Sequence, residues 1–247
     1  MRLNESKICS DVQFFVKFIN PEHLDELLNG SLYMNPLGVF IDQEKNTNER
    51  GQGDFWEGAL VYHIHEADFH MNDVTVPVSS ATIVVRHNLV REIPVFCFSN
   101  FTSKDFKLVE ERNDLIKYKI DIPDDEKKKI LNNFGSKAVI FPAELVEQLQ
   151  KEATEQSKKA IISSVLYDDF TNIDLERQKK FEKNPLEAIT WKDDFFKYQR
   201  EARFAILNTP TRNPIKFKMA TNIREKAIVV DSKLFLETFS IDFKPIK

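Results

Sequence analysis

The chain has 247 residues, 42% of them hydrophobic and 30% charged, with a net charge of -4 at pH 7. That is enough apolar material for a sizeable core, and a near-balanced charge does not by itself advertise a nucleic-acid binder. The two cysteines, Cys9 and Cys97, lack the short spacing of a zinc ribbon or redox pair, and neither the polar start MRLNESKICSDVQFF nor any later run has the apolar length of a signal peptide or membrane span.

The expectation is one cytoplasmic domain over residues 1–247, without a membrane partner, and the 21 Phe against 6 Gly point to an aromatic sheet core. From the amino terminus, residues 12–19 (VQFFVKFI) have the aromatic and β-branched content of a strand. Residues 20–30 follow as a short helix with Asn20 as N-cap, Pro21 at its first position and Gly30 as its stop. Residues 32–40 return to extended structure, and 41–58 read as a long, exposed, polar loop whose length marks it as functional.

Three strands, ALVYHIHEA, TIVVRHNLV and IPVFCFSN, are expected to form a sheet in the middle of the chain. Residues 121–160 read as a helical insertion, with Leu145, Leu149 and Ala153 on one helical face. A strand at 161–167, a helix up to Pro185 and strands at FFKYQREARFAIL, IKFKMA and AIVVD complete the chain. Strands and helices do not alternate regularly, so the fold class is α+β with mixed, mainly antiparallel sheets.

Several chemistries have no signature here. GxxxxGK[ST], GxGxxG and GxSxG are all absent. His63 and His65 share a strand face, with His70 nearby, but no acidic or cysteine set completes a metal site, so they read as the polar face of an edge strand. Cys97 reads as a small buried hydrophobe rather than a nucleophile. In the 41–58 loop, Arg50, Asp54 and Trp56, with Glu57, have the chemistry to clamp a substrate.

The stretch FFKYQREARFAI is different in kind. Period-two alternation places Lys197, Gln199, Glu201 and Arg203 on one face of a strand and Phe196, Tyr198, Ala202 and Phe204 on the other. A salt-paired surface strand explains that pattern, and so does a cleft in which a carboxylate and a second polar group grip one bound molecule.

Gln199-Arg200-Glu201 resembles the Gln-x-Glu motif of ADP-ribosyltransferases. The order of an early strand and helix through Phe18 and Gly30, a strand beginning at Leu32 and Tyr33, a Ser-bearing middle strand and a late Glu-bearing strand is similar to that superfamily and its compact bacterial toxins. CFSN, FGSKAVIF, VLYDD and the late charged segment likewise resemble a bacterial family that includes abortive-infection proteins. The resemblance implies an ADP-ribosyltransferase-like fold and NAD as co-substrate, with Glu201 and Gln199 catalytic. It also implies Lys17, Phe18, Tyr33, Ser99 and Arg203 around the NAD. An intracellular toxin or phage-defence effector would follow, with a nucleic acid or protein as acceptor and an antitoxin as restraint. The basic, aromatic-bearing run Arg212, Lys216, Phe217 and Lys218 suits a nucleic acid locally. Two other readings stand beside it: a non-catalytic antitoxin or adaptor, and a metal-dependent nuclease built on Asp54, Glu57, His63 and His65.

Overall fold

In a computed structural model of the chain, residues 1–6, 12–47, 50–172 and 174–244 are described; Cys9 lies outside them. The first half runs β1 (Gln13–Ile19), α1 (Pro21–Leu28), β2 (Ser31–Pro36), α2 (Leu37–Thr47), β3 (Leu60–Met71), β4 (Val74–Val85), β5 (Pro94–Thr102), β6 (Phe106–Arg112) and β7 (Leu115–Ile120). The second half runs α3 (Asp124–Asn133), β8 (Lys137–Phe141), α4 (Ala143–Glu155), β9 (Ala160–Ser164), β10 (Leu166–Asp168), α5 (Leu175–Lys183), β11 (Trp191–Asp193), β12 (Glu201–Ile206), β13 (Ile215–Lys218), β14 (Ile228–Asp231), α6 (Ser232–Thr238) and β15 (Ser240–Phe243). The fold is α+β, and every pairing between these strands is antiparallel except β10 with β11.

An eight-stranded sheet in the order β13-β2-β5-β1-β8-β14, with β12 pairing β5 and β9, forms the centre. Alternation along its strands sends side chains to two cores. Phe96 and Phe98 of β5 and Ala202 and Phe204 of β12 join Leu27 of α1 and Leu149 of α4 on one face. On the other, Val16 and Phe18 of β1 and Phe101 of β5 join Ile130 of α3, Phe235 of α6 and Tyr118 of the small β15-β7-β6 sheet. Phe18 stands 6.3 Å from Phe101 and 6.1 Å from Phe235, both edge to face, an arrangement that adds to the burial of the rings.

α1 begins at Pro21, whose missing N–H costs nothing there, and ends before Gly30, which turns at φ +80. A tighter constraint acts at Gly135, between α3 and β8: a Cβ there would stand 1.9 Å from the Ile19 carbonyl carbon and 2.2 Å from Asn20 N. Those are backbone atoms that cannot swing aside, so Gly135→Ala is expected to cost about 3 kcal/mol or more, measured as the drop in urea-unfolding free energy at unchanged m-value.

Four sequence expectations change. Residues 37–47, expected as the end of an extended run and the start of a loop, form α2, and 50–58, rather than an exposed loop, run inward, with Asp54 and Glu57 both fully buried. The 121–160 stretch is not a helical insertion: α3 and α4 flank β8, which pairs with β1 and β14 inside the central sheet. The three middle strands do not share a sheet, since β3 and β4 form a hairpin of their own while β5 joins the centre. Finally, Asp194–Gln199 is a tight 3-10 turn, so the late strand starts only at Glu201. Arg200 sits between them at φ 48, an uncommon conformation for a residue with a Cβ. It is held there by Asp105 at 2.7 Å and Glu126 at 2.8 Å.

Candidate functional site

The register of β5 creates an opening. On one edge β12 covers it from Val95 to Ser99, whereas on the other β1 pairs only from Ser99 to Thr102 and β2 only at Pro94 and Val95. β1 and β2 thus splay apart beside residues 96–98, and a cleft of about 640 Å³ lies there, within the range of small-molecule sites. Lys17, Phe96, Ser99, Lys192, Gln199 and Glu201 line it, with Tyr33 half-exposed at its rim.

Lys17 enters from β1, donates to the Cys97 carbonyl at 2.6 Å and lies 4.7 Å over the Phe96 ring. It therefore occupies part of the backbone edge that no strand covers. Burial holds its pKa below the usual lysine value, although Cys97 and Glu201 oppose the shift.

Glu201 opens β12 and is clasped by two cations. Arg203 Nε donates to Oε1 at 2.6 Å and Lys192 Nζ to Oε2 at 2.9 Å. Lys192 also donates to Gln199 Oε1 at 2.8 Å and to the Gln52 carbonyl at 3.1 Å, while Gln199 Nε2 donates to the Gly51 carbonyl at 3.0 Å. The amide and the carboxylate are thereby fixed against one ammonium. Behind them Arg203 donates to Glu57 and to the Ile189 carbonyl, and Lys192 stands 3.4 Å from Glu57 Oε1. Glu57 Oε2 is buried without a hydrogen-bond partner.

The electrostatics follow from this packing. Burial alone would raise the Glu201 carboxyl, but the charges and hydrogen bonds of Arg203 and Lys192 outweigh it and hold the group well below the carboxylate range. Burial would likewise lower Lys192, yet Glu201 and Glu57 keep it above the usual lysine value. Cys97 and Tyr167 are both pushed up, by burial first and by Glu201 second. Cys97 is therefore a protonated thiol, not a nucleophile.

Asp54 behaves differently from Glu201. Burial, reinforced by the Glu57 charge, lifts its pKa from 3.8 to about 6, against the pull of hydrogen bonds from Asp193 N at 3.0 Å and Trp56 N at 2.9 Å. A carboxyl raised in the folded state contributes stability below its unfolded pKa and loses that contribution as pH rises through the folded value. Wild type is thus expected to lose stability, relative to Asp54→Asn, between about pH 4 and pH 6, by up to about 3 kcal/mol. Chemical unfolding of both proteins across that window measures it, and parallel curves would show that Asp54 is not the titrating group.

Of the sequence candidates, the structure brings Glu201, Gln199, Lys17, Ser99 and Tyr33 to one cleft. Ser99 spends its hydroxyl proton on the Gln199 carbonyl at 2.7 Å, tying the 3-10 turn to β5. Phe18 also lines the cleft, although its ring packs in the core. Arg203, only 1% exposed, is committed to Glu201 and Glu57 behind the cleft wall and does not reach the cavity. The three substrate-clamp candidates lie outside the cleft and have partners within the protein. Arg50 pairs with Glu44 at 3.1 Å and Asp193 at 3.0 Å and lies 4.4 Å over the Phe195 ring, Trp56 packs 5.1 Å from the His63 ring, and Asp54 is sealed inside.

Lys192, by contrast, escaped the sequence reading. WKDD has no periodicity to mark it; the signal available was a lysine between Trp191 and the Phe195–Phe196 pair, an apolar setting in which an ammonium requires a carboxylate. The four nuclease candidates do not converge. Asp54 and Glu57 face inward, His63 bonds Thr82 at 3.0 Å and His65 is exposed on the hairpin. Among the described residues no group of three His, Cys, Asp or Glu stands close enough to hold a metal ion, and no helix is long and apolar enough to cross a membrane. No protein-family model, curated protein or solved structure matches the chain.

Proposed function

We propose that the cleft binds NAD and that the protein is an ADP-ribosyltransferase, with an ADP-ribosyltransferase-like arrangement of strands around the site, acting as an intracellular toxin or phage-defence effector. The observation that carries the reading is the ionised Glu201, held by Lys192 and Arg203 at the inner wall of a ligand-sized cleft. Its oxygens accept hydrogen bonds from Lys192 and Arg203, and the lone pairs of a carboxylate leave capacity for a ligand hydroxyl.

The chemistry uses the residues in place. Nicotinamide leaves with the electron pair of the ribose C1′–N bond, and positive charge develops on the ribose. Glu201, adjacent and already negative, stabilises that charge and accepts a hydrogen bond from a ribose hydroxyl. A lone pair on an acceptor oxygen or nitrogen then forms the new bond to C1′, and the acceptor's proton passes to water. Gln199, oriented by Lys192 and Gly51, presents its amide beside the reacting carbon. Lys17, which its buried setting makes short of counter-charge, suits the diphosphate, and the exposed face of Tyr33 suits the nicotinamide ring.

NAD labelled in its adenylate half, incubated with the protein and separately with RNA, DNA or cell protein, tests the reading. Nicotinamide release matched by label on one acceptor class supports it and names the acceptor. No NAD binding and no nicotinamide release would sink it.

A further inference from the structure

The β3–β4 hairpin stands apart from both cores beyond Ile64. Its two strands pair only with each other among the described residues, and a two-stranded ribbon is marginal by itself in water. Its faces differ. Ala67 opposite Val78, Phe69 opposite Val76 and Met71 opposite Val74 share one face, and four of these are widely exposed: Phe69 by 45%, Met71 by 73%, Val74 by 56% and Val76 by 51%. The other face carries Asp68, with exposed Glu66 at the start of this stretch and Asp73 in the turn, where Asn72 takes φ 54. Residues 60–85 contain no Lys or Arg, in a chain that has 35.

The two outer edges are unequal. Strand edges in solution are ordinarily blunted by lysine or proline. β4 carries Pro77, which lacks a backbone N–H for an added strand. β3 carries neither between Ala67 and Met71, a run that starts just past Glu66 at φ 59. An added strand with period-two alternation would set one row of side chains against the apolar face and the other beside the acids.

We propose that the outer edge of β3, residues 67–71, receives a strand from a partner protein in which apolar residues alternate with Lys or Arg. Charge complementarity selects this occupant over a second copy, whose own hairpin would bring Glu66, Asp68 and Asp73 against the same three acids. The hairpin is continuous with the cleft's supporting loop, because Arg86, next after β4, donates to the Phe55 carbonyl at 2.7 Å and the Glu57 carbonyl at 3.1 Å.

The test titrates the full chain with two labelled seven-residue peptides, one alternating Val and Lys and the other Val and Glu, read by fluorescence anisotropy. The Val/Lys peptide is expected to bind at least tenfold more tightly, with slowed amide exchange at residues 67–71. Glu66→Lys combined with Asp68→Lys, both exposed sites away from the cores, is expected to reverse the preference. Equal affinities, a preference unchanged in the double variant, or protection along β4 instead would overturn the proposal. So would a concentration-dependent dimer, seen by sedimentation, that Phe69→Ser abolishes, because it would assign the face to a second copy.

Discussion

Glu201→Gln is expected to lower nicotinamide release from NAD by at least about a hundredfold, the scale on which loss of one preorganised electrostatic group slows an enzyme. The amide keeps the shape of the side chain but removes the negative charge that, on the proposed reading, meets the developing ribose cation. It also leaves Lys192 and Arg203 to share the single carboxylate of Glu57, and because an uncompensated buried charge costs about 3–5 kcal/mol, the variant is expected to melt lower as well. The two effects are separated by assaying well below its melting midpoint, with circular dichroism confirming a folded chain. A folded variant with undiminished release would remove Glu201 from the chemistry.

Lys192→Met is the larger perturbation of the fold. Met fills a similar volume, but Glu201 and Glu57 then face each other across a buried space with Arg203 alone between them, and Gln199 Oε1 loses its donor. The expected loss is about 3–5 kcal/mol at pH 8. Its pH dependence carries the diagnosis. Without the ammonium the Glu201 carboxyl loses one of the two charges that hold it low in the folded protein, so the destabilisation is full at neutral and higher pH and shrinks as pH falls toward 4 and the group binds a proton. Urea unfolding at pH 4, 6 and 8 measures this, and a loss that does not change with pH would show that packing rather than charge had been removed.

How much of this was legible depended on which physical signal each residue carries. Period-two alternation correctly grouped Glu201 and Arg203 on one side of β12 and Ala202 and Phe204 on the other. The same rule misread DFFKYQ, whose aromatic content imitates a strand although its backbone winds as a 3-10 turn. Gln199 still reaches the cleft because Arg200, at positive φ, redirects the chain between turn and strand. That conformation depends on Asp105 and Glu126, which lie 95 and 74 positions away in the sequence.

Burial reversed the meaning of the polar loop as well. Asp54 and Glu57 read as solvent-facing because acids usually are, and only the positions of Arg203, Lys192 and the Asp193 N–H show why they go inside. The splay of β1 from β2 left no local trace at all, being set by strand pairings between distant segments.

That splay has a consequence for when the cleft is completed during synthesis of the chain. β5 draws neighbours from residues 13–19 and 31–36 on one edge and 201–206 on the other, and such long-range closures are slow to form. Until the ribosome has delivered β12, neither Glu201 nor Lys192 is in place. A nascent chain that has already assembled the early strands and helices therefore lacks the charged inner wall of the cleft, which is completed only once residues 191–206 have emerged.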